Sequence, residues 1–162
     1  MAIVSTGGNP HQFNAVLAHR PEIATAWKRM DTVLHGDSST LPYGLKENAR
    51  RVLSAQAGCA FCNSFGEPET SDLNAREQLA VRFADALIKD YRSIDESMMA
   101  AMREEFTEEE LVEFVAWMCF KLGANVLGSV MKLEPASAEM KASAEQTHAA
   151  LLREDEKRAA RL

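Results

Sequence analysis

Two cysteines at C-x-x-C spacing, Cys59-Ala-Phe-Cys62, are the part of this sequence best suited to chemistry. Placed at a helix N-terminus, two thiols at that spacing can close a small disulfide, and the helix end favours the reactive thiolate. Gly58 before the pair and a short helical run to Phe65 supply that setting. Three readings are open: a redox-active dithiol, half of a zinc site, or two ordinary buried cysteines. Zinc would need further ligands, and the chain has no second C-x-x-C. Glu47 stands twelve residues before Cys59, early in the helix that leads to the pair. It reads either as a solvated glutamate or as a general base that takes a proton from a thiol.

Other reactive side chains carry less pattern. Cys119 lies in the most apolar stretch and reads as a core residue. His11, His19, His35 and His148 suit proton transfer by their intrinsic pKa, but no spacing ties any of them to the cysteines. His35 falls near a helix C-terminus, where the dipole favours a charged imidazole. Trp27 and Trp117 read as core or interface residues. Met98, Met99 and Met102 read as packing. Gly123 and Gly128 suggest close helix–helix approach, and a buried Asn125 between them must find hydrogen-bond partners.

The elements that must position these residues are helices. Pro10 to about His19 is predicted as a short helix after an Asn9 cap. Pro21 opens a second, with Ile23, Trp27, Met30 and Leu34 on one face and Gly36 as its stop. Asp37 to Leu41 is a polar loop. Pro42 opens a third, with Leu45, Ala49, Val52 and Leu53 as its apolar face and Glu47, Arg50, Arg51 and Ser54 on others. Cys59 to Phe65 starts a short fourth helix. Asn74-Ala-Arg-Glu77 and Thr107-Glu-Glu-Glu110 are capping boxes that start two long helices, and Asp95 caps a short one between them. The helix after Thr107 is apolar on nearly all sides and is expected to be the most buried element. After Pro135 a charged helix runs from Ala136 to Leu162, with Met140, Leu151, Leu152 and Leu162 as its few large apolar residues. It is expected to pack weakly on its own domain or against a neighbouring subunit.

Composition agrees with this pattern. Ala and Leu dominate the apolar residues of the 162-residue chain and Ile is scarce, which favours helix over strand. The expectation is one all-α domain, 1–162, a compact bundle of seven or eight helices. Residues 10–135 form its core and 136–162 its charged C-terminal helix. With 46% hydrophobic and 26% charged residues, the chain reads as neither disordered nor membrane-embedded. The net charge of −6 argues against nucleic acid as a partner. The stretch 114–131 carries Lys121, Asn125 and two glycines and reads as a buried helix, not a membrane span. No signal peptide is evident, and three cysteines in such a chain point to the reducing cytoplasm.

The run Leu41-Pro42, Glu47 and Gly58-Cys59-Ala-Phe-Cys62 resembles the carboxymuconolactone decarboxylase superfamily, within it the alkyl hydroperoxidase D-like branch. The similarity covers most of residues 15–135. Arg76-Glu77, Phe83-Ala-Asp-Ala-Leu87, Phe106-Thr-Glu-Glu-Glu-Leu111 and Gly123-Ala-Asn125 also look like that family. The resemblance implies that Glu47, Cys59 and Cys62 match the family's glutamate and redox cysteines. It implies a thiol-dependent peroxidase or thiol–disulfide oxidoreductase with an antioxidant role and no cofactor. A small hydroperoxide would be the substrate, and an external dithiol or protein the reductant. It also implies a homo-oligomer, a trimer or hexamer. The family pattern has a histidine four residues after the second cysteine, where this chain has Gly66. Its best-known members have another inside the C-x-x-C, where this chain has Phe61. Such histidines relay protons in the family, so their replacement implies slow peroxide turnover, whereas plain disulfide exchange needs less machinery. A catalytically silent helical protein and a lactone decarboxylase are the alternatives.

Overall fold

A computed structural model describes residues 2–36 and 38–160. Asp37 of the expected polar loop and Leu162 of the expected tail lie outside the described residues. The described chain is all-helical, with eight α-helices and no strand. They are α1 (Gln12–Ala18), α2 (Pro21–His35), α3 (Tyr43–Gln56), α4 (Ala60–Asn63), α5 (Ala75–Asp90), α6 (Glu96–Glu105), α7 (Glu108–Val130) and α8 (Ala138–Ala159). A single 3-10 turn, Tyr91–Ser93, follows α5.

Local chemistry sets the boundaries. At α5, Asn74 Oδ1 accepts the Glu77 N–H at 3.0 Å while Glu77 accepts the Asn74 N–H at 2.9 Å. At α7, Thr107 and Glu110 make the same reciprocal pair. Each cap is worth about 1 kcal/mol. α1 begins later than Pro10, because the His11 ring, and not Asn9, accepts the Asn14 N–H that starts it. Pro42 sits at the cap of α3 and offers no side-chain acceptor. Asp155 of α8 supplies it instead, accepting the Tyr43 and Gly44 N–H groups at 3.0 and 2.9 Å.

Two apolar clusters form the interior. In the larger, α3 packs against α5 and α7 through Ala49, Leu53, Phe83, Ala84, Phe114 and Trp117, with Met102 of α6 beneath. The smaller gathers Phe13, Val16 and Leu17 of α1 with Cys59, Phe61, Leu133 and Ala136. Both clusters reach α7, which is why its length matters. Trp27 is half-buried and packs on Phe13 and Phe120.

Three expectations need correction. α7 is not the most buried helix. Only Phe114, Trp117, Met118, Asn125 and Gly128 are buried along its 23 residues, whereas α3 buries eight of 14. Among the described residues no element covers its far side, and Val112, Val126 and Val130 are 72%, 49% and 64% exposed. Cys119 lies on that side and is exposed, not a core residue. On α2, Leu34 is buried but Ile23 and Met30 of the same predicted face are exposed, because α2 rests on the bundle only along one edge. α7 is also the one helix among the described residues long and apolar enough to cross a membrane.

α3 is buried on two sides, and its charges are paired. Lys46 Nζ donates to Glu113 at 2.7 Å, to the Leu34 carbonyl at the end of α2, and to Ser39. Trp117 Nε1 donates to the Lys46 carbonyl. Burial alone would raise the Glu113 carboxyl, but hydrogen bonds from Lys46, Ser39 and Thr40 pull it down to about 2. α8 docks on α3 with none of its residues fully buried, through Asp155, Leu152 and His148.

Burial lowers the pKa of His11, His35 and His148. For His35, packed edge-on against Trp117 at 4.4 Å, desolvation and Lys121 outweigh the helix-end preference for charge. The unfolded chain therefore takes up these protons first. Stability is full above the ordinary histidine value of 6.5 and falls as pH drops through it. The urea midpoint should be lower at pH 5.5 than at pH 7.5, before carboxylates protonate; an equal or higher midpoint would contradict this.

Candidate active site

Gly58 leaves α3 with φ +70, a left-handed turn that glycine adopts without strain. The turn places Cys59 at the cap of α4, where its sulfur accepts the Cys62 N–H at 3.1 Å. Cys59 and Cys62 are bonded to each other, with Cα atoms 5.3 Å apart, inside the usual range for a bridge. Cys59 is 1% exposed, while Cys62 is half-buried. A reagent from outside therefore meets Cys62 first.

The pair rests on α7 at Gly128. A Cβ there would overlap Cys59 Sγ and lie 3.2 Å from Cys62 Sγ. The close approach inferred for glycines in α7 thus holds at Gly128, and what approaches is the disulfide. It does not hold at Gly123, where a Cβ would meet nothing within 4 Å. Asn125, one turn before Gly128, is buried. Its Nδ2 donates to the Lys121 carbonyl at 2.8 Å, and its Oδ1 has no partner among the described residues.

Glu47 is buried, not solvated. Its carboxylate takes two bonds from Arg50, at 2.8 and 2.7 Å, and one from Arg51 at 3.2 Å. Burial would raise the Glu47 carboxyl; the two guanidiniums outweigh that and hold it below its ordinary value. The link from Glu47 to the cysteines runs through Arg50. That guanidinium donates onward to the Cys62 carbonyl at 3.1 Å, the Phe65 carbonyl at 3.2 Å and Ser54 Oγ at 2.8 Å. It joins α3 to both the interior and the exit of α4.

Arg51 continues the network. Its Nη2 donates to His148 Nε2 at 3.2 Å, so this ring nitrogen is the acceptor, and the neutral imidazole carries its proton on Nδ1 towards Tyr43 Oη at 3.3 Å. Gly66 has φ +108, and a Cβ on it would stand 2.9 Å from Arg51 Cζ. The Arg51 side chain thus packs against bare backbone at Gly66.

The structure thus brings Cys59 and Cys62 together and ties Glu47 to them indirectly. Arg50, Arg51, Gly128 and His148 were not singled out as parts of the site from sequence. The spacing of Glu47 with Arg50 and Arg51, three and four residues on, is an ion-pair signal on a helix. His148 gave none, because it arrives from α8, 97 residues away.

Replacing Gly128 by Ala should destabilise the oxidised protein by about 1–3 kcal/mol, since the sulfurs leave no room for a methyl group. An Arg50→Met variant should lose about 3 kcal/mol, because the buried Glu47 carboxylate is left with Arg51 alone. Adding Glu47→Gln to it should recover part of that loss. Urea unfolding of these three variants and of Glu47→Gln alone measures each value, and additive losses in the double variant would refute the pairing.

No protein-family model, curated protein or solved structure matches the chain. What the pair can do is argued from its own geometry.

Proposed function

We propose that the chain is a thiol–disulfide oxidoreductase working through Cys59 and Cys62, with small hydroperoxides as a slow oxidant. The observation that carries the proposal is a bridged C-x-x-C in which Cys59 is sealed and Cys62 retains exposure. This reading agrees with the resemblance to the alkyl hydroperoxidase D-like branch.

In exchange, a thiolate of an external dithiol attacks Cys62 Sγ. The Cys59–Cys62 bond breaks, and Cys59 leaves as a thiolate that the Cys62 N–H stabilises. The second thiolate of the dithiol then attacks its own sulfur in the mixed disulfide. Cys62 is released, the external pair is oxidised, and two electrons have moved to the chain.

In reoxidation, the Cys62 thiolate attacks the distal oxygen of a hydroperoxide. The O–O bond breaks, an alcohol leaves after taking a proton, and Cys62 becomes a sulfenic acid. The Cys59 thiolate attacks that sulfur and hydroxide leaves as water once protonated. Both leaving oxygens need protons. Glu47 is ionised between two arginines and has none to give, so its part is to hold Arg50 and α4 in place. Protons then come from solvent at the exposed side of Cys62, which makes the peroxide step slow.

The test is trapping after reduction. A Cys59→Ser variant treated with glutathione disulfide should form a mixed disulfide on Cys62, seen by peptide mass. A Cys62→Ser variant, left with the sealed thiol, should react far more slowly. One equivalent of hydroperoxide should remove two thiols from the reduced wild type as the Cys59–Cys62 bridge. Equal trapping rates in the two variants, or a bridge that no dithiol opens under native conditions, would sink the proposal.

A further inference from the structure

The C-terminal helix α8 is held to the bundle by contacts that are largely polar. Met140, Ala144, His148, Leu152 and Asp155 recur every three or four residues along its half-buried face. None of its 22 residues is fully buried. This face runs antiparallel along α3. Just before α8 the Ala136 N–H donates to Ser64 Oγ at 2.9 Å, and Met140 packs on the cluster that holds Cys59 and Cys62. Towards its end Leu152 lies against the bare Gly44, and Asp155 caps α3 at Tyr43 and Gly44. His148 lies between these points and ties α8 to the Glu47 network through Arg51.

We propose that α8 is an acid-sensitive strap: protonation of His148 breaks its bond with Arg51 and lifts α8 off α3, uncovering the Glu47–Arg50–Arg51 network. His148 Nε2 accepts from Arg51 Nη2 only while it carries no proton. A proton there sets N–H against N–H and cation against cation. In the imidazolium both nitrogens donate, so no turn of the ring restores an acceptor. The surrounding charges have both signs. From α3, Arg51 and Arg50 oppose protonation and Glu47 favours it, and Tyr43 Oη faces Nδ1. Glu69, in the loop after α4, favours it too. On α8 itself exposed Glu145 lies one turn before His148, and Asp155, two turns after it, is bonded to the start of α3. Burial and Arg51 prevail and lower the histidine. The docked helix therefore binds this proton more weakly than the free one. Docking is full above the ordinary value of 6.5 and weakens as pH falls through it. With no residue fully buried, α8 has little apolar area to offset the loss. Once off α3 it frays, because tertiary packing is what stabilises such a helix. The strap works whether or not the cysteine pair exchanges disulfides.

Hydrogen exchange on the full oxidised chain at pH 7.5 and 5.5 tests this, read as protection factors so that the intrinsic pH dependence cancels. Protection over α8 should fall about tenfold at pH 5.5, the effect of losing one hydrogen bond to a charged group. The fall over α5 and α7 should be several-fold smaller. His148→Gln cannot titrate and still offers Arg51 an acceptor, so its α8 should stay protected at both pH values. His148→Lys fixes a charge there and should leave α8 poorly protected at both, with α5 and α7 intact. Equal α8 protection at the two pH values in the wild type would overturn the proposal. So would a pH-dependent loss that survives in His148→Gln, an α8 in His148→Lys as protected as the wild type at pH 7.5, or a fall shared equally by α5 and α7, which is global unfolding.

Discussion

The Arg50 guanidinium holds the site together. α4 has four residues, too few to stand as a helix by itself. Its place is fixed from α3, where Arg50 grips Glu47 with two bonds and gives three more to Ser54, Cys62 and Phe65. An arginine can do this because its fork presents several donors in one rigid plane. Lysine in its place would have to choose between the carboxylate and the α4 carbonyls. The buried carboxylate and the buried cation justify each other, and the cysteine pair is positioned as a result.

The same helix is pinned on its other side by Lys46. That ammonium closes the end of α2 through the Leu34 carbonyl and reaches Glu113 on α7, while Trp117 returns a bond to the Lys46 carbonyl. α3 is thus anchored by one buried ion pair towards α4 and another towards α7. Since α7 also carries Gly128, on which the sulfurs rest, both anchors bear on the disulfide. A buried pair contributes little net stability compared with an apolar replacement. Its use here is register: three helices have to agree for the two sulfurs to seat against one bare Cα.

Much of this was legible in the sequence. Capping residues fixed the starts of α5, α6 and α7, because a side chain three residues from its acceptor is a local matter. The C-x-x-C fell at the start of a short helix for the same reason. Periodicity failed where it was asked a non-local question. It identified α7 as apolar all round, but whether Val112 or Cys119 is covered depends on elements elsewhere, or on another chain. It set Glu47 off the apolar face of α3 without revealing that the polar face is buried too. The Asp155 cap on α3 joins residues more than 100 positions apart, and no pattern in the sequence announces it.

Gly66 shows how one backbone position constrains the side chains around it. Its φ of +108 is a conformation that side chains resist, and the space a side chain would take holds the Arg51 guanidinium. A histidine at this position would have to displace Arg51. That arginine is committed to Glu47 on one side and to His148 on the other. The bare backbone at Gly66, the inward turn of Arg51 and the arrival of His148 from α8 are therefore one structural choice. Its electrostatic consequence is plain. Two cations beside Glu47 favour its ionised form, and burial together with Arg51 favours neutral His148. A carboxylate so held is a poor proton acceptor, and an imidazole so held already accepts from Arg51. The network is built to fix geometry around the disulfide more than to move protons through it.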